Sequence, residues 1–210
     1  IEPAFNQMQV QPVIGVDFAT GVRTLLRQDP DIIMVGEIRD RDTADMAVQA
    51  ALTGHLVLSS LHTNDAPTAV TRLLDLGVPS YLIQSTVLGV MAQRLVRTLC
   101  PHCKKPTEPP DDETWRAITA PWRADKPEQV MGAVGCLECR MTGYFGRVGL
   151  YEIMTMTPAL RRLIAPGCDD SRLREQAFKD GMKPLRVSGA MKVAAGVTTA
   201  EEVVKVAPLG

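Results

Sequence analysis

The sequence predicts an α/β fold: a parallel sheet flanked by helices, joined to a small cysteine-rich subdomain and a C-terminal helical subdomain. Three observations carry that expectation. Short apolar runs alternate with segments of helical period through the first half of the chain. Aromatic residues make up only 4% of the 210 residues while Ala, Val, Leu and Met are plentiful, which suits helices on a parallel sheet better than an antiparallel sandwich. Two Cys-x-x-Cys pairs punctuate a middle stretch rich in Pro, Gly and charge.

Residues 17–28 place Phe18, Val22, Leu25 and Leu26 at helical spacing, and Pro30 ends that helix because the residue before proline disfavours αR. Ile32–Val35 lies between two acidic clusters and reads as a fully buried strand. Asp42 or Thr43 can cap a helix bearing Ala44, Ala47, Val48, Ala51 and Leu52 on one face, with Gly54 placed to stop it. Residues 55–60 read as a second strand, and helices follow at about 65–76 and 80–98. Strand, helix, strand, helix implies right-handed crossovers and a parallel sheet.

Composition changes at Cys100, and from there to Gly146 only Trp115 and Trp122 are large apolar anchors. Residues 145–156 return to apolar alternation and read as a strand. Thr157-Pro158 then opens a helix as N-cap and N1, Asp170 or Ser171 opens another, and Thr199-x-x-Glu202 is a capping box for the last. The expected divisions are 1–99, 100–146 and 147–210.

Charges nearly cancel, at 23 basic against 24 acidic residues, so no overall basic field marks nucleic acid as the main partner. The longest apolar region, YLIQSTVLGVMAQRLV, is interrupted by Gln84, Gln93 and Arg94, whereas spanning a bilayer takes about 20 mostly apolar residues. No direct membrane insertion is expected. The chain begins at Ile1 with neither a charged n-region nor an apolar h-region, and the missing Met reads as a fragment. Without export signals, metal binding outranks disulfides for the cysteines.

Cys100-Pro-His-Cys103 and Cys136-Leu-Glu-Cys139 are separated by 32 residues, and each knuckle can give two thiolates to one tetrahedral ion. Closing such a loop costs roughly 3 kcal/mol plus a constant, against about 10 to 16 kcal/mol of apparent zinc binding in small peptides. Structural Zn2+ is the expectation, with a redox dithiol or unrelated buried cysteines as the alternatives. His102 could ligate only by displacing a cysteine and is rejected, and Cys168 has no partner in the pattern.

The buried strand ending in Gly36-Glu37-Ile38-Arg39-Asp40 follows the logic of a rigid sheet holding a carboxylate where Mg2+ or a catalytic water must sit, with Glu37 as that carboxylate. A solvated strand end is the plain alternative. The second strand ends in Ser59-Ser60-Leu61-His62-Thr63-Asn64, which brings a histidine and hydroxyls to the edge where open α/β sheets bind ligands, although a lone strand-end histidine is more often structural.

Together, LRQDPDIIMVGEIRD and TGHLVLSSLHTNDA closely resemble the Walker B and His boxes of the secretion ATPase superfamily. The resemblance, to the carboxyl-terminal part of the type II secretion and type IV pilus assembly ATPases, continues through AQRLVRTLCPHC, the second knuckle and GYFGRVGLYEI. It implies a RecA-like ATPase core working as a homo-hexamer on ATP and Mg2+, with a tetracysteine zinc subdomain. It further implies a cytoplasmic enzyme, held at the inner membrane by platform and cytoplasmic-anchor proteins. By position, Glu37 would organise Mg2+ and water and His62 would contact the γ-phosphate region. Arg23, Arg27, Arg39, Arg72 and Arg147 match phosphate clamps, some acting across the subunit interface. Arg23 and Arg27 are four apart, so a helix would put both on one face; two solvated arginines are the plain alternative.

No G-x-x-x-x-G-K-[ST] loop occurs in the sequence, so the phosphate cradle is lacking. In the family that loop and the Asp box with the water-activating Glu lie upstream. The chain matches that box only in its tail at Ile1-Glu2, and Glu2 is not taken as the general base. Two other readings remain open: a zinc-stabilised interaction module without catalysis, and a DNA-uptake or conjugation motor of the same superfamily. Near-zero net charge argues against the latter.

Overall fold

Strands β1 (Ile32–Val35) and β2 (Leu56–Ser59) run parallel, with Ile32 opposite Leu56 and Val35 opposite Ser59, in the computed structural model, which describes residues 2–207. Helix α2 (Arg41–Leu52) is the crossover between them. Ile33 and Val35, each 2% exposed, pack on Val22 of α1 (Phe18–Leu25) and Ala50 of α2. Each such burial contributes about 1.5–3 kcal/mol. Ile32 and Met34 point the other way and are 60% and 77% exposed, with Leu56 and Leu58 beside them. The strand is therefore buried on one face and not on two, because among the described residues helices cover one side of this pair.

Aspartates begin the helices around these strands. Asp17 accepts the Thr20 amide at 2.7 Å and Asp40 the Thr43 amide at 2.8 Å. Asp65 accepts the Thr68 amide at 3.0 Å at the start of α3 (Ala66–Asp75). The cap of α2 is thus Asp40 and neither Asp42 nor Thr43. Thr43 occupies the amide-donating position and is itself buried. Helix α1 stops at Leu25, short of the expected residue 28, and Asp29 turns the chain at φ 50°.

The helix expected over 80–98 is the largest departure. Helix α4 (Ser80–Thr86) ends where Val87 goes extended, and β3 (Gly89–Leu99) follows, paired with β6 (Tyr144–Thr155). From Gly89 to Arg97 the less exposed residues are Val90, Ala92, Arg94 and Val96, a period of two that the mixed Leu, Met and Ala content did not advertise. Two further short strands, β4 (Lys105–Thr107) and β5 (Val130–Gly132), form an antiparallel ladder.

Packing divides the chain into two compact units, each made of two stretches: Ile1–Val90 with Thr155–Asp180, and Met91–Met154 with Gly181–Gly210. They cut across the divisions expected at 99/100 and 146/147. The first unit carries β1, β2 and α1 to α4, with α6 (Pro158–Leu163) and α7 (Asp170–Lys179). Thr157 caps α6 as expected, whereas Asp169, accepting the Ser171 amide at 2.8 Å, caps α7 in place of Asp170 or Ser171.

The second unit has its own core. Val96 and Leu150 from the strands meet Trp115 and Ile118 of α5 (Asp112–Thr119), Leu185 and Val193 of α8 (Leu185–Ala194) and Val203 of α9 (Ala200–Val206). The segment between the knuckles thus folds against the C-terminal helices. Thr199 caps α9, with the Glu202 amide 3.4 Å from its hydroxyl, but the reciprocal half of the capping box is diverted. Glu202 holds Arg97 through both oxygens at 2.9 and 2.6 Å, and Lys205 at 2.9 Å. Arg97 in turn lies 4.0 Å over the Tyr144 ring. No helix among the described residues is long and apolar enough to cross a membrane.

Candidate functional site

Because β1 and β2 are parallel and in register, the chain leaves both at the same edge. Two hydrogen bonds stitch the departing segments together: Ile38 N–H to Ser60 O at 2.9 Å, and Ser60 Oγ to Gly36 O at 2.7 Å. That stitching brings Glu37 and His62 together. His62 Nε2 is 2.9 Å from Glu37 Oε2, and Arg39 Nε donates to the same oxygen at 2.6 Å. The side chains of Arg39 and His62 are largely exposed while that of Glu37 is 21% exposed, so the acid sits beneath a solvent-facing guanidinium and imidazole. The His62 hydrogen bond, followed by the Arg39 bond, holds the Glu37 carboxyl below its usual range.

Beside this cluster is an open depression of about 470 Å³ lined by Ile38, Arg39, His62 and Arg72, the last from α3. The depression supplies an imidazole and two guanidiniums, and Glu37, bonded to two of these groups, adds an ionised acid beside it. Such a set can accept a divalent cation at the carboxylate and polyanionic oxygens at the bases.

The remaining arginines are not gathered here. Arg23 is exposed on α1, with Met46 Sδ 3.9 Å away as a weak acceptor. Arg27 lies past the end of α1, so the shared helical face expected for Arg23 and Arg27 does not form. Arg147 is exposed in β6, in the second unit. Glu2 is exposed near the start of the described chain, and Ile1 lies outside the described residues.

Asp65 is a residue that the sequence reading passed over. Its Oδ1 accepts from the Thr68 amide and hydroxyl, at 3.0 and 2.6 Å, and its Oδ2 accepts Arg174 Nη2 of α7 at 2.8 Å. Burial raises its carboxyl, yet the Thr68 and Arg174 bonds outweigh that and leave it below its usual value. The Asp-x-Pro start of α3 was a readable signal for the cap, but Arg174, 109 residues distant, had none.

In the second unit the four cysteines converge as expected. Cys100 follows β3, Cys103 precedes β4, and Cys136 and Cys139 lie between β5 and β6, with all four sulfurs within 4.8 Å of one another. Sulfur pairs 100/136 and 103/139 are 3.9 Å apart and 136/139 are 3.7 Å apart. A tetrahedron of bonds near 2.3 Å has edges of about 3.8 Å, so the tetrad could hold one metal ion. Backbone amides point at the sulfurs: Gly135 to Cys103 at 3.3 Å, Cys136 and Gly143 to Cys139 at 3.1 and 3.2 Å. Burial pushes both thiols up; the two amides reverse this at Cys139, bringing it to about 6, while Cys103 stays at about 11. Close packing enforces two glycines in this loop. A Cβ at Gly143 (φ 77°) would lie 2.6 Å from Ala133 Cβ, and one at Gly135 (φ 119°) 2.9 Å from Met141 O. Cys168 belongs to the first unit, where burial raises its thiol.

Residues 2–205 match the family model described as "Type II/IV secretion system protein". The type IV pilus assembly ATPase TfpB of Acinetobacter baylyi is 56% identical over 209 residues, covering 100% of this chain and 36% of that protein. The type II secretion system protein HxcR of Pseudomonas aeruginosa is 48% identical (97% and 39% covered), and the type II secretion system ATPase E of Vibrio cholerae 47% identical (96% and 39% covered). The chain therefore spans less than two fifths of the length of these curated relatives. Among solved structures, the pilus retraction motor PilT with bound ADP is similar at a TM-score of 0.61 and 25% identity, covering 91% of this chain and 44% of that one. The Legionella pneumophila ATPase DotB, at 0.60 and 23% over 90% and 42%, supports the fold.

Proposed function

Because the chain belongs to the type II/IV secretion system protein family, we propose that it is the carboxyl-terminal part of a hexameric cytoplasmic ATPase that drives pilus or pseudopilus assembly. Residues 1–99 then supply the second half of the ATPase core, 100–146 the metal-bearing subdomain, and 147–210 the return strand and C-terminal helices. The single observation that carries this reading is the triad at the strand edge: Glu37, His62 and Arg39 meet on one carboxylate oxygen beside a cation-lined depression.

ATP is the substrate. Mg2+, when bound, would supply neutralisation of the charge that develops on the phosphates. Glu37, kept ionised, is suited to orient the metal's water shell, since Mg2+ sites use one or two carboxylates and leave the rest to water and phosphate. His62 and Arg72 line the depression and are placed to meet the γ-phosphate oxygens. Arg39 can exchange Glu37 for a phosphate. Arg23, Arg27 and Arg147 are assigned as clamps that act across subunit boundaries. The phosphate cradle would come from the additional length that the relatives possess.

The tetrad fits structural Zn2+: four sulfurs at tetrahedral spacing, with amides directed at two of them, leave no open position for substrate. When bound, zinc would cross-link the end of β3 to the loop before β6. We place the ATPase at the inner membrane through platform and cytoplasmic-anchor proteins, without inserting itself.

The test joins the upstream half of the Acinetobacter baylyi relative to this chain. Mg2+-dependent ATP hydrolysis is expected, falling at least about 100-fold in Glu37→Gln and His62→Ala, while the 210-residue chain alone shows none. Equal turnover in Glu37→Gln would overturn the assignment.

A further inference from the structure

We propose that Arg174 is a positioning residue for the nucleotide site, fixing through Asp65 both the His62 loop and the start of α3; this rests on the ATPase reading above. Asp65 stands between the two elements that matter. His62 precedes it by three residues and Arg72 follows it by seven, and both line the depression beside Glu37. One Asp65 oxygen is committed to capping α3 through Thr68. The other is held by Arg174 Nη2 at 2.8 Å. The loop is closed locally by Thr63, whose hydroxyl donates to Asp65 O at 3.1 Å. Moving Asp65 would therefore move the segment that carries His62 and the helix that carries Arg72 together. Arg174 is not among the residues lining the depression, so it acts through Asp65 and touches no reacting group.

The anchor itself is well held. Arg161 of α6 donates to Met156 O at 3.2 Å and Val87 O at 3.0 Å, and Gln84 donates to Ile164 O at 2.7 Å, which ties the α6–α7 segment to α4 and the chain after it. The Arg174 and Asp65 side chains are 37% and 20% exposed, so water competes for this pair less than for an open surface pair. An aspartate cap needs no distant cation to do its local work. The extra bond from α7 links the helical hairpin to the site.

Arg174→Met keeps the aliphatic stem and removes the guanidinium. In the 210-residue chain, amide hydrogen exchange over residues 61–68 should accelerate roughly tenfold, with the second unit unchanged, and Arg174→Lys should recover part of the protection. In the longer ATPase, kcat should fall about tenfold with the KM for ATP within about twofold, since geometry at the phosphate is lost and overall binding is kept. Wild-type exchange over 61–68 in Arg174→Met, or acceleration spread through the whole first unit, would overturn the proposal. If Arg174→Met does not fold, Arg174→Lys is judged by the same measure: exchange faster than wild type only over 61–68 supports it, and wild-type exchange refutes it. His62→Ala run alongside separates the two ideas. Unchanged turnover in His62→Ala defeats the ATPase reading, whereas a loss there without one in Arg174→Met defeats the positioning role alone.

Discussion

Replacing Glu202 by Gln should cost the chain stability in a way that depends on pH. In the folded protein the Glu202 carboxyl falls from its ordinary value of 4.5 to about 2, first through the Arg97 bonds and then, against the cost of burial, through Lys205. At about 1.36 kcal/mol per tenfold change in acidity constant, that difference is worth about 3 kcal/mol. Arg97 is 45% exposed and Lys205 60%, so solvent screens part of it and about 2 kcal/mol is the expected contribution. A depressed carboxyl stabilises fully above its unfolded value and loses that contribution as the pH falls through its folded value. The window is therefore pH 4.5 to 2. Urea unfolding of wild type and Glu202→Gln, compared at a series of pH values, reads the difference directly and cancels any acid effect the two share. The gap should be near 2 kcal/mol at pH 7, still nearly whole at pH 5 and largely gone at pH 2. A gap that stays constant across that range, or one below about 0.5 kcal/mol at pH 7, refutes the reasoning.

Other expectations follow from geometry already given. Elemental analysis of the purified chain should find one metal ion per molecule, and Cys100→Ser or Cys139→Ser should abolish it and lower the melting temperature by more than 5 °C. Gly189→Ala would thrust a methyl 2.3 Å from Val203 Cγ1 where α8 crosses α9, so it should destabilise by about 1–3 kcal/mol in the same urea assay. Met34→Lys, on the exposed face of β1, should stay within about 0.5 kcal/mol of wild type. A loss above about 2 kcal/mol there would show that this face is covered in solution.

Local chemistry made much of this protein readable. Apolar runs bounded by charge gave β1 and β2, aspartates and threonines marked helix starts to within three residues, and cysteine spacing gave the tetrad. Glu37 and His62 were legible as a pair because parallel strands in one sheet must deliver their ends to one edge. Information carried by partners was not legible. Residues 89–99 fit either period until β6 is beside them. The Glu202 carboxylate reads as half of a capping box until Arg97, 105 residues away, claims it. Arg27 lost its helical neighbour because α1 frays into the turn at Asp29, a boundary that propensity locates poorly.

The doubly engaged oxygen of Glu37 has one more implication. Both bonds fall on Oε2, so the carboxylate's other oxygen, Oε1, is the side a divalent ion or its water would meet without displacing either base. Arg39 and His62 stay at the rim of the hollow, where a polyanion's negative oxygens would meet them. One carboxylate would then serve a metal on one oxygen while steadying two bases with the other, so the same acid would set the distance between the ion and the groups that meet its anionic partner.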